Sequence, residues 1–192
     1  MAYGVIRTDL MSGVIQGADL VHVRVYDSLE AGGEMIAAEN GLIVKLGDYE
    51  PLGEGTHREI HKAVPASASD KLSECAILAG VELMCDERKH DLDEFINPKG
   101  AAVRGYLPRS RNLFSVTKEC FVGGTVPTVG QTVGIGDAGK IQAGGTNLGV
   151  CREIEQAGKY TYYLIRIGAA EEAVGSGAAG AEGATAITCH KF

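Results

Sequence analysis

The stretch VGIGDAGKI, residues 133–141, reads in two incompatible ways. Gly134, Gly136 and Gly139 spell G-x-G-x-x-G, and residues 134–140 spell G-x-x-x-x-G-K, all but the last letter of a phosphate-binding loop. Read as a phosphate cradle, it demands a strand before it and a helix after it, the core of an α/β nucleotide fold. Read as a turn between strands, it places the chain among β proteins. A working loop follows its lysine with a Ser or Thr hydroxyl for magnesium and opens a helix whose N-terminus receives the anion. Here Ile141 stands in the hydroxyl position, and QAGGTN at 142–147 carries a glycine pair that would not hold a helix. The dinucleotide version needs a helix and then an acid that binds ribose. Glu153 and Glu155 follow, but in a strand pattern with no helix before them. The expectation is a tight turn at Asp137, Ala138 and Gly139 between strands over 131–135 and 140–143, with glycines for the positive φ it needs.

Working outward, the same grammar recurs. Short apolar and polar alternations are closed by Gly, Pro, Asn or Asp, and sustained helical periodicity is almost absent. LVHVRVY at 20–26 sets Val21, Val23 and Val25 on one face of a strand. Asn40-Gly41 is a strong turn signal before a second strand at 42–46. Residues 47–65 read as polar and rich in turn formers, and 75–83 as an apolar strand-like run. DLDEFI at 91–96, acidic in its first turn and stopped by Asn97-Pro98, predicts one short helix. Strands follow at 101–106 and 112–117, bent around Pro108. Residues 149–156 and 159–167 then form a hairpin turning at Ala157-Gly158, whose second arm, KYTYYLIRI, has the highest β propensity in the chain.

The fold class predicted is mainly β: a compact β-barrel or sandwich-like domain with one short helix and a Gly/Ala-rich C-terminal segment. The body covers 1–168, with a subdomain break near 110–125. Residues 169–192 change abruptly to small side chains that cannot bury enough surface to offset their ordering entropy. They read as a flexible tail, the alternative being a glycine-rich loop leading to a last short strand over 186–192.

Composition narrows the function classes. With 192 residues the chain can bury a core without a metal or disulfide staple, and its 27 glycines make it turn often. A net charge of -7 with scattered lysines and arginines argues against a nucleic-acid surface. The five cysteines, Cys75, Cys85, Cys120, Cys151 and Cys189, form no C-x-x-C pair and read as reduced thiols of a protein made in a cytoplasm. The opening MAYGVIRTDLMSG, broken by Arg7, Thr8 and Asp9, lacks the pattern of an export signal, and no window reaches the ~18 apolar residues of a membrane helix, which points to a soluble protein.

No catalytic constellation emerges. His57 and His61 stand at i, i+4, but Arg58-Glu59-Ile60 between them lacks the glutamate of H-E-x-x-H. Cys85 with His90 lies in a charged, loop-like run. Glu171 and Glu172, or Asp91, Asp93 and Glu94, read as solvated faces, and Ser67, Ser69 and Ser73 lack a nucleophile elbow. The expectation is therefore no enzyme, no cofactor and no metal.

Five pieces in order, MAYGVIRTDLMSG, LVHVRV, LDEFINPKGAAVRGYLPRSRNLFSVT, VPTVGQTVGI and YTYYLIRI, together resemble a family of tailed-bacteriophage head proteins that decorate or cement the capsid. Residues 27–34 and the tail after Gly168 depart from that pattern. The resemblance implies a β-rich body without catalytic residues, made in the host cytoplasm and placed on the virion surface. It also implies the major capsid protein as partner, a homo-oligomer on the capsid lattice, and no nucleic acid or membrane. Among the residues themselves, Tyr3, Val5, Ile6 and Arg7 are candidate contacts to the capsid or a neighbour: Tyr3, Val5 and Ile6 near the terminus could add a strand to a partner sheet, or pair within their own domain. Arg104, Arg109 and Arg111 could meet an acidic capsid surface. A rival reading is a particle-displayed carbohydrate or cell-surface adhesion module stacking sugars on Tyr3, Tyr160, Tyr162 and Tyr163.

Overall fold

The computed structural model describes residues 2–8, 11, 19–50, 59–82 and 91–168. Residues His57, Cys85, His90, Glu171, Glu172 and Cys189, and the segment 169–192, lie outside the described residues. The protein is mainly β, as its alternating patterns require. Five strands close into a barrel in the order β1 (Leu20–Val25), β3 (Ile60–Pro65), β2 (Ile43–Tyr49), β4 (Cys75–Leu78), β5 (Val103–Tyr106). A second five-stranded sheet runs β6 (Leu113–Val116), β10 (Tyr160–Ile167), β9 (Gly149–Ala157), β7 (Thr132–Ile135), β8 (Ile141–Ala143). The chain passes from one to the other between Tyr106 and Leu113. No helix among the described residues is long and apolar enough to cross a membrane.

The barrel is filled, not hollow: Val23, Val25, Val44, Ala63, Ala76, Leu78 and Val103 pack inside it, small branched residues that suit a narrow interior. β4 is CAIL, buried at every position, because it has two apolar neighbours. Ala76 and Leu78 enter the barrel, while Cys75 and Ile77 join Ile43 and Tyr106 against Phe114, Ile135, Ile141, Cys151 and Ile165 of the second sheet. Sequence reading misses β3, because IHKAVP shows little alternation. Its place is set by distant partners, parallel to β1 (Val25 opposite Ala63) and antiparallel to β2 (Leu46 opposite Ala63).

The helix expected over 91–96 shortens to a single 3-10 turn, Leu92–Glu94. Phe95 is buried, and Asn97 exchanges backbone hydrogen bonds with Ala38 (3.1 and 3.0 Å), which pulls the chain into an extended bridge before a second turn can form. Asn97 Nδ2 also donates to Asn40 Oδ1 at 2.9 Å, and Gly80 N–H donates to the same oxygen at 2.9 Å. On the barrel wall, the buried Glu50 accepts from Arg24 Nη1 (2.5 Å) and Tyr26 Oη (2.6 Å), leaving no uncompensated charge. Burial and that bond to Glu50 push the Tyr26 phenol up to about 12.

The stretch 133–141 is strand, turn, strand. Ile135 pairs with Ile141 antiparallel, and Gly136 N–H reaches Lys140 O at 2.7 Å across the Asp137–Gly139 turn. Lys140 Nζ donates inward, to Glu119 O at 2.7 Å and Glu39 Oε2 at 3.3 Å. Ala138 and Gly139 both take positive φ, 54° and 72°. Gly139 is irreplaceable on a second count: a Cβ there would lie 2.3 Å from Ile43 O, where the turn touches the barrel. At the β9–β10 hairpin Gly158 also has positive φ (61°), but open space around it. Gly158→Ala should therefore cost only the backbone penalty, about 1 kcal/mol, and Gly139→Ala about 3 kcal/mol or more, read as urea midpoints. Equal losses at the two sites would contradict the turn-to-barrel contact.

Candidate docking surface

Of the candidate contacts Tyr3, Val5, Ile6 and Arg7, Val5 and Ile6 take the alternative of pairing within their own domain, while Tyr3 and Arg7 are half-buried. Ile6 bridges Val116 antiparallel, Thr117 N–H donates to Val5 O (3.0 Å) and Arg7 N–H to Ser115 O (3.0 Å). Val5 and Ile6 are 1% and 2% exposed, so they belong to the core and present no strand to a partner. The reason is local: β6 has an open edge beside β10, and the apolar terminus covers it. Tyr3 N–H donates to Asp93 O at 2.9 Å, and Arg7 lies over the Tyr162 ring (5.3 Å) while Nη1 bonds Glu155 Oε2 at 3.1 Å. The segment is a staple across the protein's own layers.

The arginines nominated for an acidic partner divide. Arg109 pairs with Asp19, Arg111 holds positive φ (73°) with its N–H on Ile167 O, and Arg104 is exposed on β5. Of the tyrosines of the adhesion reading, Tyr162 and Tyr163 are buried, whereas Tyr3 and Tyr160, whose Oη donates to Asp93 Oδ1 at 2.8 Å, are half-buried. Tyr49, 56% exposed and stacked on His61, is the tyrosine that faces outward. His61 Nδ1 sits 3.0 Å from Gly47 O, and among the described residues no group of three or more His, Cys, Asp or Glu is placed to hold a metal ion. Ser67 Oγ bonds Asp70 Oδ2 at 2.9 Å within a turn.

The surface that stands out is the end of the β9–β10 hairpin. β9 has nine residues, but β7 covers it only at Gly149 and Val150. Gln131 O accepts from Cys151 N–H (2.9 Å), and Gly130 N–H donates to Cys151 O (2.7 Å). Beyond that point no described residue hydrogen-bonds the side of β9 that faces away from β10. Residues 152–156 are exposed, Ile154 at 43%, and Val129, one residue before Gly130, is 60% exposed. Opposite-strand pairing gives the edge two faces. Glu153 and Glu155 lie beside Leu164 and Tyr162 on the outer face, whereas Ile154 lies beside the core-facing Tyr163. Tyr163 meets Phe121 edge-on at 5.4 Å, which anchors this arm in the core.

The hairpin is braced where it overhangs. Arg7 holds its outer face, and Thr161 Oγ1 bonds Gln156 Oε1 at 2.6 Å across the strands. Lys159 Nζ reaches Asp91 Oδ2 (2.5 Å) and Asp93 Oδ1 (3.0 Å) at the tip. Burial alone would raise the Asp93 carboxyl, but the Tyr160 and Lys159 bonds outweigh it and hold it below its usual value. Burial, then the Asp93 bond, raises the Tyr160 phenol. These bonds hold the overhanging half of the hairpin in strand geometry. The one signal for this edge in the sequence is the mismatch between a long β9 and a short β7.

The described cysteines offer no activated nucleophile. Burial pushes Cys75 to about 11 and Cys120 to about 12, and raises Cys151.

No protein-family model, curated protein or solved structure matches the chain.

In a Cys85→Ser, Cys189→Ser background the three remaining thiols should react with a thiol reagent at pH 8 only as fast as the protein unfolds; rapid stoichiometric modification of the folded chain would contradict their burial. Because the folded Asp93 value is depressed, its contribution is complete above the unfolded carboxylate value and is lost as pH falls below about 4. Asp93→Asn should cost about 0.5–1 kcal/mol at pH 7, and the gap to wild type should close in acid urea titrations.

Proposed function

We propose that this protein is a capsid decoration protein that binds the outer surface of an expanded phage head and stabilises it. The observation that carries the reading is the braced edge at 152–157, unpaired among the described residues, beside exposed Ile154 and Val129. An attachment protein of this kind needs no pocket for a reaction. It needs a rigid shape, apolar anchors and backbone groups that a neighbour can complete. The ordered resemblance of five sequence pieces to head decoration proteins points the same way, and the major capsid protein is then the partner.

The mechanism is thermodynamic. A ligand that binds the mature lattice and not the dissociated subunits stabilises the lattice by mass action, and modest affinity suffices because each site gains separately. Contacts to two capsomers at once add avidity.

Purified protein added to expanded heads of its own phage should bind saturably and raise their disruption temperature by several degrees. Ile154→Asp should weaken that binding about tenfold or more in protein that still unfolds cooperatively, since Ile154 is 43% exposed. Absence of binding to heads and to isolated capsid protein at mild salt overturns the reading.

A further inference from the structure

The open edge of β9 has a charge pattern that excludes one partner and selects another. Two copies of the chain could in principle pair edge to edge through 152–157, as unpaired strands tend to do. Antiparallel pairing about a two-fold axis sets residue i opposite its mate on the same face, so the paired numbers share parity. Centring on residue 153 puts Glu153 against its own copy. Centring on 154 puts Glu153 against Glu155 twice, and centring on 155 puts Glu155 against its own copy. Like charges directly opposite are destabilising. In each of these three registers the edge is thus guarded against a second copy of this chain; centring on 156 avoids the clash but shortens the paired run, leaving Glu153 and Ile154 with no strand residue opposite.

The same two carboxylates favour a heterologous strand. Glu153 and Glu155 stand on the outer face, both exposed, and Ile154 stands between them on the inner face, 43% exposed. Glu155 uses Oε2 for Arg7, yet its side chain is 49% exposed, and a carboxylate has further lone pairs to accept from a second cation. Resting on the decoration reading above, we infer that the partner strand is a basic one: an extended segment of another protein with Lys or Arg at two alternate positions facing Glu153 and Glu155, and an apolar residue between them against Ile154. Main-chain bonds to the free side of β9 supply attachment, and the glutamates set which strand is accepted.

The test uses the full chain, labelled for amide NMR, and two blocked six-residue peptides, one alternating valine and lysine, the other valine and glutamate. The lysine peptide should shift the amides of 152–156 and protect those that point away from β10, saturably, with affinity about tenfold or more above that of the glutamate peptide. Glu153→Lys, with all other amide positions unchanged, should remove that preference. Equal binding of the two peptides, or shifts centred elsewhere, overturns the inference. So does protection, in the free protein, of those amides among 152–156 that point away from β10, which would place another part of the chain on the edge, or protection that grows with protein concentration, which would mean self-pairing. Capsids play no part in this measurement, so peptide selectivity without head binding would sink the decoration reading alone, and head binding without selectivity would sink the basic strand alone.

Discussion

The rest of the structure depends on one strand being buried on both faces. CAIL at Cys75–Leu78 sends Ala76 and Leu78 into the barrel and Cys75 and Ile77 into the second layer. Neither layer can leave without exposing that strand, so the barrel wall is also the floor of the second sheet. Tyr106 and Ile43 extend the shared surface, opposite Ile77 on the neighbouring strands. Small residues inside the barrel and larger ones between the layers follow from the space available on each side.

The glycine loop of 133–141 belongs to this economy. Its lysine is a clamp, reaching the Glu119 carbonyl and the Glu39 carboxylate, and its last glycine lets the turn approach the Ile43 carbonyl. Gly4 N–H bonds the same Glu39 Oε2, so the N-terminal staple and the glycine turn share one carboxylate. What resembles a site for a phosphate is a joint between β8, the barrel and the terminus. A chain can thus carry the letters of a binding loop when close backbone packing asks for the same residue types.

The hairpin β9–β10 is the part of the body that extends past its own layers. Its inner residues, Tyr163 and Ile165, are core, and its outer half is braced by Arg7, Asp93 and Lys159. Bracing and incompleteness occur together here: backbone groups are held in strand geometry with one side unbonded among the described residues. A glutamate pair on that side is the kind of feature that keeps an open edge from joining its own copy.

Local pattern by itself determined most strands, the tight turn at 137–139 and the closing hairpin, because alternation and turn residues act over a few positions. It also determined that the body is mainly β. It could not reveal β3, whose paired residues lie 12 (Tyr49 and His61) to 38 (His22 and Ile60) positions away, nor show that the helix signal at 91–96 yields to the bridge between Ala38 and Asn97. It left open whether Val5 and Ile6 serve a neighbour or their own fold, and tertiary structure decided that, since an apolar terminus beside an open strand is buried by the nearest edge. The exposed edge of β9 was likewise a tertiary outcome. A strand's pattern says which face is apolar, but which of its two sides is paired depends on how far its neighbours run.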